Sequence, residues 1–301
     1  MTAVPSWLWI VFTVAAAGGQ TARNAMQRDL IATLGTAGAT FVRFLFGLPF
    51  ALLFLALVSA ASGAAPPAPG AASFWWTAVG GVSQILATGL MLAAMKEKSF
   101  VVAIAYTKTE PVLVALFGLL FLHDSVTPQL AAAIGVAVLG VMLMSWPKRS
   151  GDASAIGWRA TLYGLASAAM FALSAIGYRA GILALGAPNF ALGASTILAL
   201  ALAIQSALIV IGLALLDRAL LAGIFRAWRP SLLAGFMGAL ASQFWFLAFA
   251  IDTAARVRTL ALVEMIFAQI VTRKIFQQTT SAREIAGMAI MIAGVAILMW
   301  T

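Results

Sequence analysis

The chain has 301 residues, of which 63% are apolar and 9% charged, with a formal net charge of +9, one histidine and no cysteine. A mean hydropathy of +1.04 excludes a soluble domain, because this much apolar surface can leave water only by entering lipid. The positive balance is not a nucleic-acid footprint: most of it falls in pairs at the ends of apolar runs, as Arg23 and Arg28, Lys96 and Lys98, Lys148 and Arg149, Arg226 and Arg229, and Arg273 and Lys274, where cations meet lipid headgroups.

A helix needs about 20 apolar residues to cross the hydrocarbon. Ten runs meet that need, at roughly 6–22, 36–60, 74–95, 100–122, 128–146, 158–183, 190–216, 230–250, 256–276 and 283–300. They are continuously apolar rather than alternating, which excludes barrel strands, and they leave little chain for a soluble catalytic domain. The first run has no Lys or Arg before it and no small-residue cleavage site with a polar domain behind it, so it reads as a span and not a signal peptide. Loops of any length fall only at 59–73 and 147–157. The second divides five spans from five, which predicts a first repeat over 1–146, a linker over 147–157 and a second repeat over 158–301. Because five is odd, the second half enters the membrane the other way up. The expected fold is therefore an all-α integral membrane protein of ten transmembrane helices, arranged as two inverted five-helix repeats.

A fixed offset of 154 residues supports that division. It carries 99–144 onto 253–298, Glu110 onto Glu264, Thr127 onto Ser281, Ala133 onto Gly287, Gly140 onto Gly294 and Val141 onto Val295. Apolar helices resemble each other by composition alone, but this register holds a charged residue and small residues together without a gap. The glycines read as sites of close helix contact.

Ionisable groups inside a span cost about 2.5–3.5 kcal/mol each on insertion scales, so each needs a partner, a wet cavity or a task. In chain order the polar groups are Gln20 and Asn24 near span 1, Arg43 in span 2, Gln84 in span 3, and Tyr106, Lys108 and Glu110 in span 4. Tyr178 and Arg179 follow in span 6, Gln205 in span 7, Gln243 in span 8, and Arg256, Arg258, Glu264 and Gln269 in span 9. Tyr106 and Glu110 share a helix face, whereas Lys108 points roughly 200° around the axis from Glu110. Lys108 and Glu110 therefore cannot pair within span 4, and each must find a partner on another helix or face a cavity. Pro111 suits a kink beside a binding site, or shapes packing alone.

For the two glutamates, one reading is a buried ion pair such as Glu110 with Arg43 that locks helices together. The other is that one or both take up protons or contact a substrate ammonium. Lys108 lies too deep to snorkel far. Arg179, Arg256 and Arg258 lie nearer span ends, where headgroups are the expected contact. Trp75, Trp76, Trp228 and Trp300 read as interfacial anchors; Trp245, between Phe244 and Phe246, lies deeper and lines either a pocket or the core. The lone His123 beside Asp124 cannot build a metal cluster, and no nucleophile elbow, phosphate loop or dinucleotide fingerprint occurs. Neither an enzyme nor a cofactor is expected.

Phe41-Val-Arg-Phe-Leu-Phe-Gly47, Ala105-Tyr-Thr-Lys-Thr-Glu-Pro-Val112, Phe121-Leu-His-Asp-Ser-Val-Thr127 and the stretch from Gly287 to Gly294-Val295 resemble the drug/metabolite transporter superfamily, in particular its EamA-type ten-helix members. The resemblance implies paired inverted repeats, a central cavity lined by spans 1, 3, 4, 6, 8 and 9, and alternating access, often with export of amino acids or other small metabolites. Lys108-Thr-Glu-Pro111 also looks like the span-4 motif of organellar phosphate translocators, in which the lysine helps to hold an anion. Two departures stand out. Met265 replaces a proline after the second glutamate, so span 9 need not kink. The loops after odd-numbered spans hold most of the Lys and Arg, which puts both termini outside, whereas the resemblance implies cytoplasmic termini; sidedness stays open.

The expected function is a secondary transporter, exporter or exchanger, of a small polar metabolite such as an amino acid or organic anion, in a bacterial inner membrane. The excess of Arg43, Lys108 and Arg179 over the two glutamates favours a solute bearing an anionic group. The expected binding residues are Lys108, Tyr106, Glu110, Gln84, Arg43, Tyr178, Gln243, Trp245 and Glu264. Expected partners are the solute, membrane lipids and a coupling proton, with no nucleic acid and with homodimerisation open. The rivals are a cation or multidrug exporter, a flippase for a lipid-linked sugar, and an intramembrane enzyme.

Overall fold

The computed structural model describes residues 5–97, 107–144, 158–275 and 281–300, and every element among them is helical. The first half contains α1 (Leu8–Leu45), α2 (Leu48–Ser62), α3 (Ala71–Glu97), α4 (Glu110–Phe117), which runs on as a π-helical turn Gly118–Leu122, and α5 (Pro128–Met144). The second half contains α6 (Trp158–Leu185), α7 (Phe190–Leu216), α8 (Arg218–Arg226), α9 (Trp228–Ile251), α10 (Ala254–Leu260), a 3-10 turn Ala261–Val263, α11 (Glu264–Ile275) and α12 (Ala282–Leu298). Among the described residues, four stretches are long and apolar enough to cross a bilayer: Leu30–Ser62, Thr161–Leu185, Phe190–Leu216 and Trp228–Ile251.

Spans 3, 5, 6, 7, 8 and 10 fall on α3, α5, α6, α7, α9 and α12 within a few residues. Three features differ from the sequence reading. The polar stretch after residue 22 is helical, and α1 is interrupted only at Gly35 (φ +65°, ψ 175°), a conformation that glycine takes without the penalty a Cβ imposes. Residues 218–226, between the seventh and eighth apolar runs, form the short helix α8; the Asp217 carboxylate caps it by accepting from Leu220 N at 2.9 Å, and Ile224 is buried against Leu34 and Ala39 of α1. Span 9 tightens into a 3-10 turn ahead of Glu264 while Leu260, Ala261 and Glu264 keep helical φ/ψ, although no proline stands there.

The chain forms two compact units, residues 1–81 with 177–252 and residues 82–176 with 253–301. In the first unit α1 lies along α9, with a glycine on one side of each close contact. A Cβ on Gly19 would sit 3.3 Å from Ala241 Cβ, and one on Gly235 2.6 Å from the Phe46 carbonyl carbon. The start of α3 meets the end of α6 in the same way: a Cβ on Gly177 would lie 2.8 Å from Gly80 N and Trp76 O. Ser73 Oγ donates to Gly181 O at 2.9 Å across that contact. Close backbone approach of this kind replaces the hydrophobic drive that lipid cannot supply.

In the second unit the main contact is α5 against α12. A Cβ on Gly140 would collide with Met291 N and lie 2.7 Å from Gly287 O; one on Gly287 would meet Met144 N at 2.8 Å, and one on Gly294 would meet Ala137 Cα at 2.7 Å. Rising residue numbers on α5 meet falling numbers on α12, so the two helices run antiparallel. Thr127 and Ser281, equivalent under the 154-residue offset, cap these helices alike. Thr127 Oγ1 accepts from Leu130 N at 3.1 Å, and Ser281 Oγ accepts from Glu284 N at 3.3 Å while Glu284 Oε2 accepts from Ser281 N at 2.7 Å. That exchange is a capping box.

Candidate functional site

Two charged residues at equivalent positions open two helices in the second unit. Glu110 begins α4 after a turn that holds Lys108 and Thr109, with Pro111 in the first helical turn, where its missing N–H costs nothing. Glu264 begins α11 after the 3-10 turn. For Glu110, in the first turn of α4, the positive end of the macrodipole is an advantage of about 0.3–1 kcal/mol that offsets part of its desolvation; Glu264 instead continues the helical backbone of Leu260 and Ala261, and its N–H is bonded to Ala261 O.

Each glutamate is paired with a cation from the other helix segment. Glu264 Oε1 holds the Lys108 ammonium, and Glu110 Oε1 lies 2.7 Å from Arg258 Nε on α10. Moving from Lys108 up to Glu110 in one segment moves from Glu264 down to Arg258 in the other, so these segments also run antiparallel. The result is a crossed quartet of two ammonium or guanidinium groups and two carboxylates with no net charge. All four side chains keep between 15% and 18% of their surface open, so the quartet is neither sealed in the core nor solvated like surface ion pairs. Such a niche can exchange one counter-ion for another. A dry buried pair cannot do so without a large penalty.

Gln84 lies half-buried on α3 in the same unit. Tyr106 falls outside the described residues. Arg43, Tyr178, Gln243 and Trp245 belong to the first unit, where they join a polar seam. Gln205, almost wholly buried on α7, donates from Nε2 to Tyr178 Oη at 3.0 Å and to Gly81 O at 3.2 Å. Gln243 Nε2 donates to Ser195 Oγ at 2.8 Å, and its buried Oε1 has no hydrogen-bond partner. Trp245 Nε1 donates to Gln20 Oε1 at 3.3 Å. Tyr178 packs on Phe246 with ring centroids 4.7 Å apart, and Trp245 and Phe246 are both buried, so the deep aromatics are core.

Four sequence expectations about cations change. Glu110 pairs with Arg258, not with Arg43; the Arg43 guanidinium lies over the Phe44 ring, 4.3 Å from its centroid. Arg258 faces a carboxylate instead of headgroups. Arg179 donates to Phe249 O at 2.9 Å and to Asp252 O, closing the carbonyl end of α9, a use that the helix dipole favours. Arg23 is buried rather than lipid-facing, and both its Cδ and Arg43 Cβ crowd Gly238, at 3.4 and 3.2 Å from where a Cβ would stand. The cation excess read around Lys108 therefore gives way to a balanced quartet. Arg258 was the residue missed. Once antiparallel equivalent helices are granted, the partner of Glu110 has to come from the turns before Glu264, where Arg256 and Arg258 are the available cations. Among the described residues there is no group of three or more His, Cys, Asp or Glu that could hold a metal ion.

Residues 6–146 match the EamA-like transporter family. No curated protein matches the chain. A solved structure described only as the crystal structure of a protein is similar in fold, with a TM-score of 0.69 over 98% of this chain and 97% of that one, at 13% identity.

Proposed function

We propose that the chain, whose residues 6–146 match the EamA-like transporter family and whose helices are apolar, is a multi-pass membrane transporter with a small polar organic solute bearing a carboxylate or other anionic group as its cargo, held at Lys108. The observation that carries this reading is the crossed quartet at two helix starts. Interrupted spans whose half-helix N-termini face a polar niche are the way membrane carriers hold anions without full hydration. Here the Lys108 ammonium and the Arg258 guanidinium present positive potential beside the first turn of α4, against the two glutamates. A cationic drug would have to displace both cations, so export of cations is the weaker reading; a lipid-linked sugar phosphate shares the anionic chemistry and remains within the transporter class.

The chain is proposed to work as two inverted five-helix repeats, 1–146 and 158–301 joined by 147–157, moving solute by alternating access as an exporter or exchanger in a bacterial inner membrane. Supporting that arrangement, equivalent helices α5 and α12 pack antiparallel through equivalent glycines, as inversion demands. Gln84 and Tyr106 are proposed as further contacts of the solute. Ligand-induced thermal stabilisation tests the cargo class, since a ligand that binds the folded state raises its apparent stability with occupancy. Purified protein is expected to gain stability with glutamate, succinate or inorganic phosphate and not with organic cations, and Lys108→Ala to lose that gain while remaining folded. Stabilisation by cations alone would refute the reading.

A further inference from the structure

The Lys108 ammonium already holds a carboxylate, and that carboxylate belongs to the protein. We propose that Glu264 is a resident counter-anion which the solute replaces: the carboxylate of the cargo takes the Glu264 place on Lys108, and Glu264 returns when the cargo leaves. This rests on the reading that Lys108 holds the solute, and it adds how the empty carrier is kept neutral and what loading must displace.

Two features separate the Lys108–Glu264 arm from the Arg258–Glu110 arm. Lysine presents a compact ammonium on a flexible stem with three equivalent donors, so one carboxylate can follow another onto it, whereas the guanidinium of Arg258 is a fixed planar fork. Lys108 stands in a turn ahead of α4, while Arg258 is within α10. Charge counting gives the direction of the exchange. With both glutamates ionised and both cations in place the quartet is neutral, so adding an anion without moving Glu264 sets two carboxylates on one ammonium, and they repel. Moving Glu264 off the ammonium relieves that repulsion, and deleting its charge by substitution leaves one unit of positive charge, which an anionic solute restores to neutrality.

A site occupied by its own counter-ion binds solute with an affinity reduced by the fraction of time it is open. Glu264→Gln keeps the shape and deletes the competitor. In proteoliposomes preloaded with glutamate, succinate or inorganic phosphate, KM for whichever of these the wild type carries is expected to fall by roughly tenfold if the pair is closed about nine-tenths of the time. Turnover is expected to fall as well, because release has lost its displacing group. Glu264→Asp, which keeps the charge and retracts it by one methylene, should move KM the same way by a smaller factor, and it serves if the glutamine variant does not fold. An unchanged or higher KM in both variants would overturn the proposal. A Lys108→Ala protein that carries these anions like the wild type would instead overturn the underlying assignment of Lys108, so the two failures are distinguishable.

Discussion

Replacing Gly140 by leucine tests the packing that holds the equivalent helices together. A Cβ at position 140 alone would collide with Met291 N and stand 2.7 Å from Gly287 O, and both obstacles are main chain, so no rotamer change can relieve them. The remaining leucine atoms can be placed only if α12 retreats bodily, which also opens the contact of Gly294 with Ala137. Overpacking of this kind costs about 1–3 kcal/mol, and obstacles made of backbone put the effect near the upper end. At about 2–3 °C per kcal/mol for a chain of this size, the thermal midpoint in detergent should drop by about 5–9 °C. Gly135 on the same helix has nothing within 4 Å of its Cβ position. Gly135→Leu should therefore hold or raise the midpoint, since leucine is favoured over glycine in a helix by close to 1 kcal/mol. Gly294→Leu should match Gly140→Leu, and the double variant should lose less than the two losses added, because both open one interface. Equal losses at positions 135 and 140, or none at 140, would refute the antiparallel α5–α12 contact.

Arg179→Ala removes a charged donor from two carbonyls at the end of α9. It should cost about 1–3 kcal/mol of stability and leave KM for anions within twofold of wild type, measured by thermal denaturation alongside uptake. A large rise in KM would return Arg179 to the binding set. Gly35→Ala should cost about 1–3 kcal/mol although nothing lies within 4 Å of its Cβ position, because a side chain is disfavoured at φ +65° and ψ 175°. An unchanged midpoint would mean that the backbone there is not held in that conformation.

The residues differ in how openly they announced their roles. The apolar runs gave α7 its bounds, and the 154-residue offset paired Glu110 with Glu264 and Thr127 with Ser281, two helix starts and two caps. Hydropathy ends the first apolar run at residue 22 because Arg23, Asn24, Gln27 and Arg28 are polar. Those residues, together with Ala22, Ala25 and Met26, are nonetheless mostly good helix formers, and helix α1 runs through them until Gly35 breaks it. The helix α8 was hidden for the opposite reason: Leu220, Leu221 and Ile224 form one apolar face, but the segment is far too short to read as a span. Nothing local marks the 3-10 turn before Glu264, since Leu260–Ala261–Leu262–Val263 contains neither proline nor glycine. It follows from tertiary packing, and so does the pairing of Arg258 with Glu110, which depends on which helices run antiparallel.

The central claim is that Lys108 holds the anionic group of a transported solute. Uptake of labelled glutamate, succinate and inorganic phosphate into proteoliposomes, compared for the wild type, Lys108→Arg and Lys108→Ala at equal folded protein, tests it most directly. Wild-type protein should carry at least one of the three, the arginine variant should retain partial flux with an altered KM, and the alanine variant should fall to the rate of empty liposomes. Wild-type flux in the alanine variant would contradict the account.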